Sequence, residues 1–73
     1  MKISYDSEVD ALYIRLLDGD YECRNVHLSD DIALNLGPQE LLVGIEILNA
    51  RAHIGNGEVP GVELDNIKLV KSK

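Results

Sequence analysis

The chain has no tryptophan and no phenylalanine among its 73 residues. Its core must therefore come from Ile, Leu and Val with three Tyr. A domain of this size buries only about 60% of the surface its unfolded chain exposes. Such a core rarely supplies more than ~3–5 kcal/mol, so the monomer is expected to be marginal and self-association, a dimer foremost, is the simplest remedy. The single cysteine, Cys23, excludes an internal disulfide. The opening Met1-Lys2-Ile3-Ser4 runs straight into a patterned segment without the apolar core of a secretory leader. Both features fit a reducing, cytoplasmic setting. No apolar run approaches the ~20 residues that span a bilayer; the longest, Leu41 to Leu48, is broken by Gly44 and Glu46. Basic residues are also scarce, seven against thirteen acids, for a net charge of -6. Phosphate neutralisation needs a basic surface, so no nucleic-acid partner is expected. The bases at Lys68, Lys71 and Lys73 read as a solvated terminus. An acidic domain of this kind suits a basic protein partner.

Asp6, Asp18 and Asp30 recur at equal intervals, each followed by an apolar alternating segment. Each interval has room for one strand and a turn, which predicts an antiparallel β-meander. Ile3 and Tyr5 mark the first strand. Val9 to Leu17 fits either a helical face or a strand, and Leu-Tyr-Ile followed by Asp18-Gly19 favours the strand with a hairpin turn. Val26 and Leu28 mark a weak third strand, and Ile32, Leu34 and Leu36 a fourth that Gly37-Pro38 ends. Leu41 to Leu48 places Leu41, Val43, Ile45 and Ile47 on one face and Leu42, Gly44, Glu46 and Leu48 on the other. Two-sided apolarity of that kind suits a central or doubly covered strand. Leu48 to Ile54 allows one or two helical turns over a sheet face, stopped by Gly55-Asn56-Gly57, and Val62 to Val70 offers a final strand. The fold class is α+β, mainly β: a meander of four to five strands, one short C-terminal helix and room for a last strand.

No constellation anchors catalysis. Ser4, Ser7, Ser29 and Ser72 lie near turns or termini, and none sits beside a His oriented by an acid in sequence. Asp6, Glu8 and Asp10 resemble the start of a calcium loop, but the glycine after the third acid and the closing bidentate acid are missing and Ala11 and Leu12 begin a strand instead, so a solvated turn competes with a divalent-metal site. Cys23 and His27, four residues apart on a strand, stand roughly 13 Å apart and cannot share a zinc ion. With His53 they carry a third reading, an enzyme assembled between subunits. No cofactor is implied. Tyr13 and Arg15 share one strand face, Gly44 and Glu46 another; if those faces coincide, Arg15 pairs with Glu46 beside a tyrosine, either as a plain cross-strand pair or as a recognition surface.

Lys2-Ile3-Ser4-Tyr5-Asp6, Asp10-Ala11-Leu12-Tyr13-Ile14-Arg15-Leu16 and Val43-Gly44-Ile45-Glu46-Ile47-Leu48-Asn49-Ala50 together resemble the small bacterial YuzE-like proteins, domain of unknown function family 2283. The likeness covers roughly residues 1–50, leaving 51–73 as a C-terminal extension of a single small domain. It implies a mainly antiparallel β domain and brings no catalytic residues. Some such proteins are suspected neighbours of small toxin candidates, which implies an antitoxin-like role. The expected function is a non-enzymatic, self-associating protein-interaction module with Tyr13, Arg15, Leu42, Glu46 and Leu48 as contact residues. The alternative is a small-ligand or divalent-metal-binding protein using Asp6, Glu8 and Asp10.

Overall fold

The computed structural model describes residues 1–55. Period-two alternation becomes five strands: β1 (Lys2–Asp6), β2 (Ala11–Arg15), β3 (Arg24–His27), β4 (Ile32–Leu36) and β5 (Leu42–Leu48). A 3-10 turn over Pro38–Glu40 joins β4 to β5, and a short helix, α1 (Ala50–Ile54), follows β5. The ambiguous stretch from Val9 to Leu17 is thus a strand at its centre. The predicted helix forms after Leu48 and ends at Gly55. The expected strand over Val62 to Val70 lies outside the described residues.

All pairings are antiparallel, in the order β1-β2-β5-β4-β3. The mainly β, antiparallel class stands as the sequence implies, and the doubly apolar β5 is the central strand. The neighbour order departs from a plain meander at one place. Asp6 and Asp30 do stand at hairpin reversals, but Asp18-Gly19 does not: residues 16–23 form a longer connection from β2 to β3 along one end of the sheet. They cover three strand spacings of about 4.8 Å each. Leu16 N–H donates to the Val43 carbonyl (2.8 Å), so the chain leaves β2 still tied to β5. Gly19 then takes a φ of 100°, a left-handed conformation that glycine adopts without steric cost.

Register divides the sheet into two faces. On one, Ile3, Ile14, Ile45, Leu34 and Val26 stand in a single row across all five strands, beside a second row of Tyr5, Leu12, Ile47 and Ile32. On the other, Ser4, Tyr13, Glu46, Ala33 and His27 form one row and Lys2, Arg15, Gly44, Asn35 and Asn25 the next. The apolar residues buried among the described residues are Leu12, Ala33, Val43 and Ala50. The rest of the apolar rows is half-buried, and Ile3 on the edge strand is 40% exposed. A register shift between Asn35 and Leu36 sets Leu42 opposite Leu36. A bulge of this kind changes the phase of a strand. Leu42 is consequently not in the register of Gly44, Glu46 and Leu48 that simple alternation predicts.

Strand β5 ends where the β1–β2 and β3–β4 turns both lie, so α1 emerges between two acidic turn residues. Asp10 accepts from Ala50 N–H through its carbonyl (3.0 Å) and from Arg51 N–H through its carboxylate (3.2 and 3.3 Å). Asp31 accepts from Asn49 Nδ2 (3.0 Å) and from His53 Nε2 (2.9 Å), and its carbonyl accepts from Leu48 N–H (2.7 Å). These ties fix the helix at the end of the sheet, with Ala50 completely buried. The expectation of a helix laid over a sheet face is corrected accordingly: five residues leave it too short to reach past the strand ends.

Candidate functional site: the polar sheet face

Tyr13 and Glu46 are directly opposed across β2 and β5, and Arg15 faces Gly44 in the next row. The two faces therefore coincide as alternation predicts. Gly44 is buried and has Tyr13 lying over it: a Cβ placed there would meet Tyr13 Cζ at 2.6 Å and Cε1 at 2.9 Å. Glycine is needed here for close approach, since its φ is ordinary for a strand.

The pairing of Arg15 with Glu46 does not form. Arg15 Nε donates to the Leu17 carbonyl (2.7 Å) and Nη2 to the Gly19 carbonyl. The guanidinium is drawn to the connection at the end of β2, where it satisfies carbonyls that have no ladder partner. Glu46 is left half-buried with one weak neighbour, Asn35 Nδ2 at 3.5 Å. Asn35 is 9% exposed and donates more strongly to Asn25 Oδ1, 2.7 Å away. Neither asparagine stood out in the sequence, though both occupy strand positions where a polar residue on the same face recurs. Leu48 lies two residues beyond Glu46 on β5 and is 44% exposed. Leu42, 36% exposed, belongs to the bulged end of the strand.

The carboxylates proposed for metal binding have separate local duties. Asp6 Oδ1 accepts from Glu8 N–H (3.0 Å), an Asx turn that reverses the chain after β1. Asp10 Oδ1 accepts from the Tyr5 hydroxyl (2.7 Å), and Asp10 itself has a φ of 54°. That hydrogen bond, followed by desolvation, raises the Tyr5 hydroxyl above its usual 10.0. Among the described residues no three His, Cys, Asp or Glu side chains are grouped to hold a metal ion.

Cys23 is exposed, its thiol 3.5 Å from the Tyr21 carbonyl, and it lines an open groove of about 310 Å³ with Arg24 and Pro38. His27 lies exposed at the end of β3, and His53 is engaged by Asp31. Of the three residues considered for catalysis, Cys23 lies in the β2–β3 connection, His27 on β3 and His53 on α1. Ser29 Oγ accepts from Asp31 N–H (3.3 Å) and Ile32 N–H (3.1 Å), closing the β3–β4 turn. No helix of the described residues is long and apolar enough to cross a membrane.

The family model for a protein of unknown function, DUF2283, matches residues 2–51, from the start of β1 into α1. The chain belongs to the DUF2283 family. The matched range holds the whole sheet and both acidic anchors of α1, so the DUF2283 unit coincides with the structure described above. No curated protein and no solved structure matches the chain significantly.

In this DUF2283 domain the Asp31 anchor makes a pH-dependent contribution. The hydrogen bond from His53, then that from Asn49, holds the Asp31 carboxyl below its usual 3.8, with desolvation opposing them. A depressed value in the folded state means that the stabilisation is present above the unfolded value and lost as pH falls through the folded one. Asp31→Asn is therefore expected to flatten the fall in Tm below about pH 4 relative to the parent. Superimposable acid limbs for the two proteins would show that this contact carries none of the acid sensitivity.

Proposed function

We propose that this DUF2283 chain is a non-enzymatic, self-associating protein-interaction module that meets a basic protein partner in an antitoxin-like manner. The observation that carries the reading is the unbroken apolar row Ile3–Ile14–Ile45–Leu34–Val26, whose members all retain solvent exposure. An apolar strip on a domain too small to be comfortably stable alone marks an association surface. A second copy is the occupant that removes this strip from water by matching it with an identical apolar row. The opposite face, with Tyr13, Glu46 and Leu48, is then left for a partner, and the net charge of -6 steers a basic one toward it.

Sedimentation velocity over a wide concentration range tests the association. A dimer whose Tm rises with concentration is expected, and Ile3→Lys, on the exposed edge of the strip, should shift it to monomer while keeping the fold. A monomer at every concentration, with Tm independent of it, would overturn the self-association in this proposal.

A further inference from the structure

We infer that the polar sheet face receives an arginine side chain from an extended segment of a protein partner, seated between Tyr13 and Glu46; the inference rests on the reading of the chain as an interaction module. Three observations carry it. Glu46 is a half-buried carboxylate at the centre of the sheet, and among the described residues its only hydrogen-bond neighbour is the long contact to Asn35. The Arg24–Glu40 ion pair and the His53–Asp31 contact of the described residues both lie away from it. The cation nearest in register, Arg15, is spent on the Leu17 and Gly19 carbonyls. Among the described residues no cation meets this carboxylate, so an arriving one finds its oxygens ready to accept charge-assisted hydrogen bonds.

The chemistry around it selects the cation. Asn35 gives both its resolved hydrogen bonds through Nδ2, which leaves its Oδ1 as an acceptor without a resolved donor. Tyr13 stands opposite, and its ring lies over Gly44. A planar guanidinium can meet the carboxylate with two parallel hydrogen bonds and stack on an aromatic ring, whereas an ammonium ion is a point charge that keeps its water. The domain's net charge of -6 complements such a segment.

The test is an NMR titration of the ¹⁵N-labelled full chain with a capped peptide of serine, arginine and serine, and with its lysine and citrulline counterparts. Saturable shifts centred on Tyr13, Asn35 and Glu46 are expected for the arginine peptide, weaker ones for lysine and none for citrulline. Glu46→Gln should weaken binding at least about tenfold. Asp30→Asn, the same charge change on an exposed turn, should stay within about twofold, because charge outside the seat acts only through screened steering. Should Glu46→Gln lose its fold, Tyr13→Leu serves instead, with a loss of about threefold from the missing ring. Absent or scattered shifts, equal response to citrulline or lysine, or equal weakening by Asp30→Asn would overturn the inference. Self-association is read on the same samples by sedimentation: arginine binding to a strict monomer would sink the dimer alone, and a dimer indifferent to arginine would sink this inference alone.

Discussion

Leu12→Ala is expected to leave the chain predominantly unfolded at room temperature. Leu12 is 4% exposed at the middle of β2, in the row between Tyr5 and Ile47. Truncating a buried leucine costs about 2–5 kcal/mol, the lost transfer energy plus the cavity left behind. A core of this size supplies only ~3–5 kcal/mol to begin with. No Trp or Phe stands nearby to slide into the gap, because the sequence contains none. Far-ultraviolet circular dichroism with urea titration is the measurement. The parent should give a cooperative transition and the variant a signal already near its unfolded baseline. A midpoint close to the parent's would mean that the β2–β5 contact collapses around the missing atoms at little cost. Because a dimer gains stability with concentration, the variant should also regain structure as its concentration rises.

Gly44→Ala is expected to destabilise the fold, and removal of Tyr13 should relieve most of that loss. On β-propensity alone the change should help, since glycine in a strand interior costs backbone entropy and packs no side chain. The Tyr13 ring reverses the sign. An alanine Cβ would stand 2.6 Å from Cζ, inside any tolerable contact, so the ring must swing off its seat or β5 must shift. Overpacking of that kind costs about 1–3 kcal/mol. In the double variant Gly44→Ala with Tyr13→Ala the obstacle is gone, and a coupling of about 0.5–3 kcal/mol should appear in the cycle of four proteins. Strictly additive losses would mean that the ring does not lie on Gly44 in solution. Displacing the ring should also weaken arginine binding, which connects this prediction to the proposed site.

Much of the fold is legible in the residues because alternation is a local property. Ile32, Leu34 and Leu36 against Ala33 and Asn35 give a strand whose two faces differ, and the observed strand has those bounds. Leu41 to Leu48 reads as apolar on both sides, and it becomes the central strand with a neighbour on each edge. The common face of Tyr13, Arg15, Gly44 and Glu46 follows from parity once β2 and β5 pair without a slip. Parity fails at Val43, where one extra residue in β5 moves Leu42 to the register of Leu36. Gly44, beside Val43, is the one local sign of irregularity, since a glycine inside a strand pattern marks a bulge or a close approach without saying which.

The Asp18-Gly19 signal illustrates a different limit. An acidic residue beside glycine specifies that the chain can reverse, and Gly19 does take a left-handed conformation. It does not specify which strand comes next. The fate of Arg15 is settled by the same ambiguity, since only a connection that turns away at Leu17 and Gly19 offers it two free carbonyls.

By itself the sequence determined the strands, the short helix after Leu48, the acidic surface and the parity that puts tyrosine and glutamate on one face. The tertiary structure decided that β2 pairs with β5, that Asp10 and Asp31 meet at one end of the sheet to hold α1, and that Glu46 is left without Arg15. The division has a physical cause. Side-chain alternation and turn chemistry act over two to four residues and are written in order along the chain, whereas ladder partners are chosen by which buried faces fit across long loops, a choice that costs entropy slowly with distance and leaves no local mark.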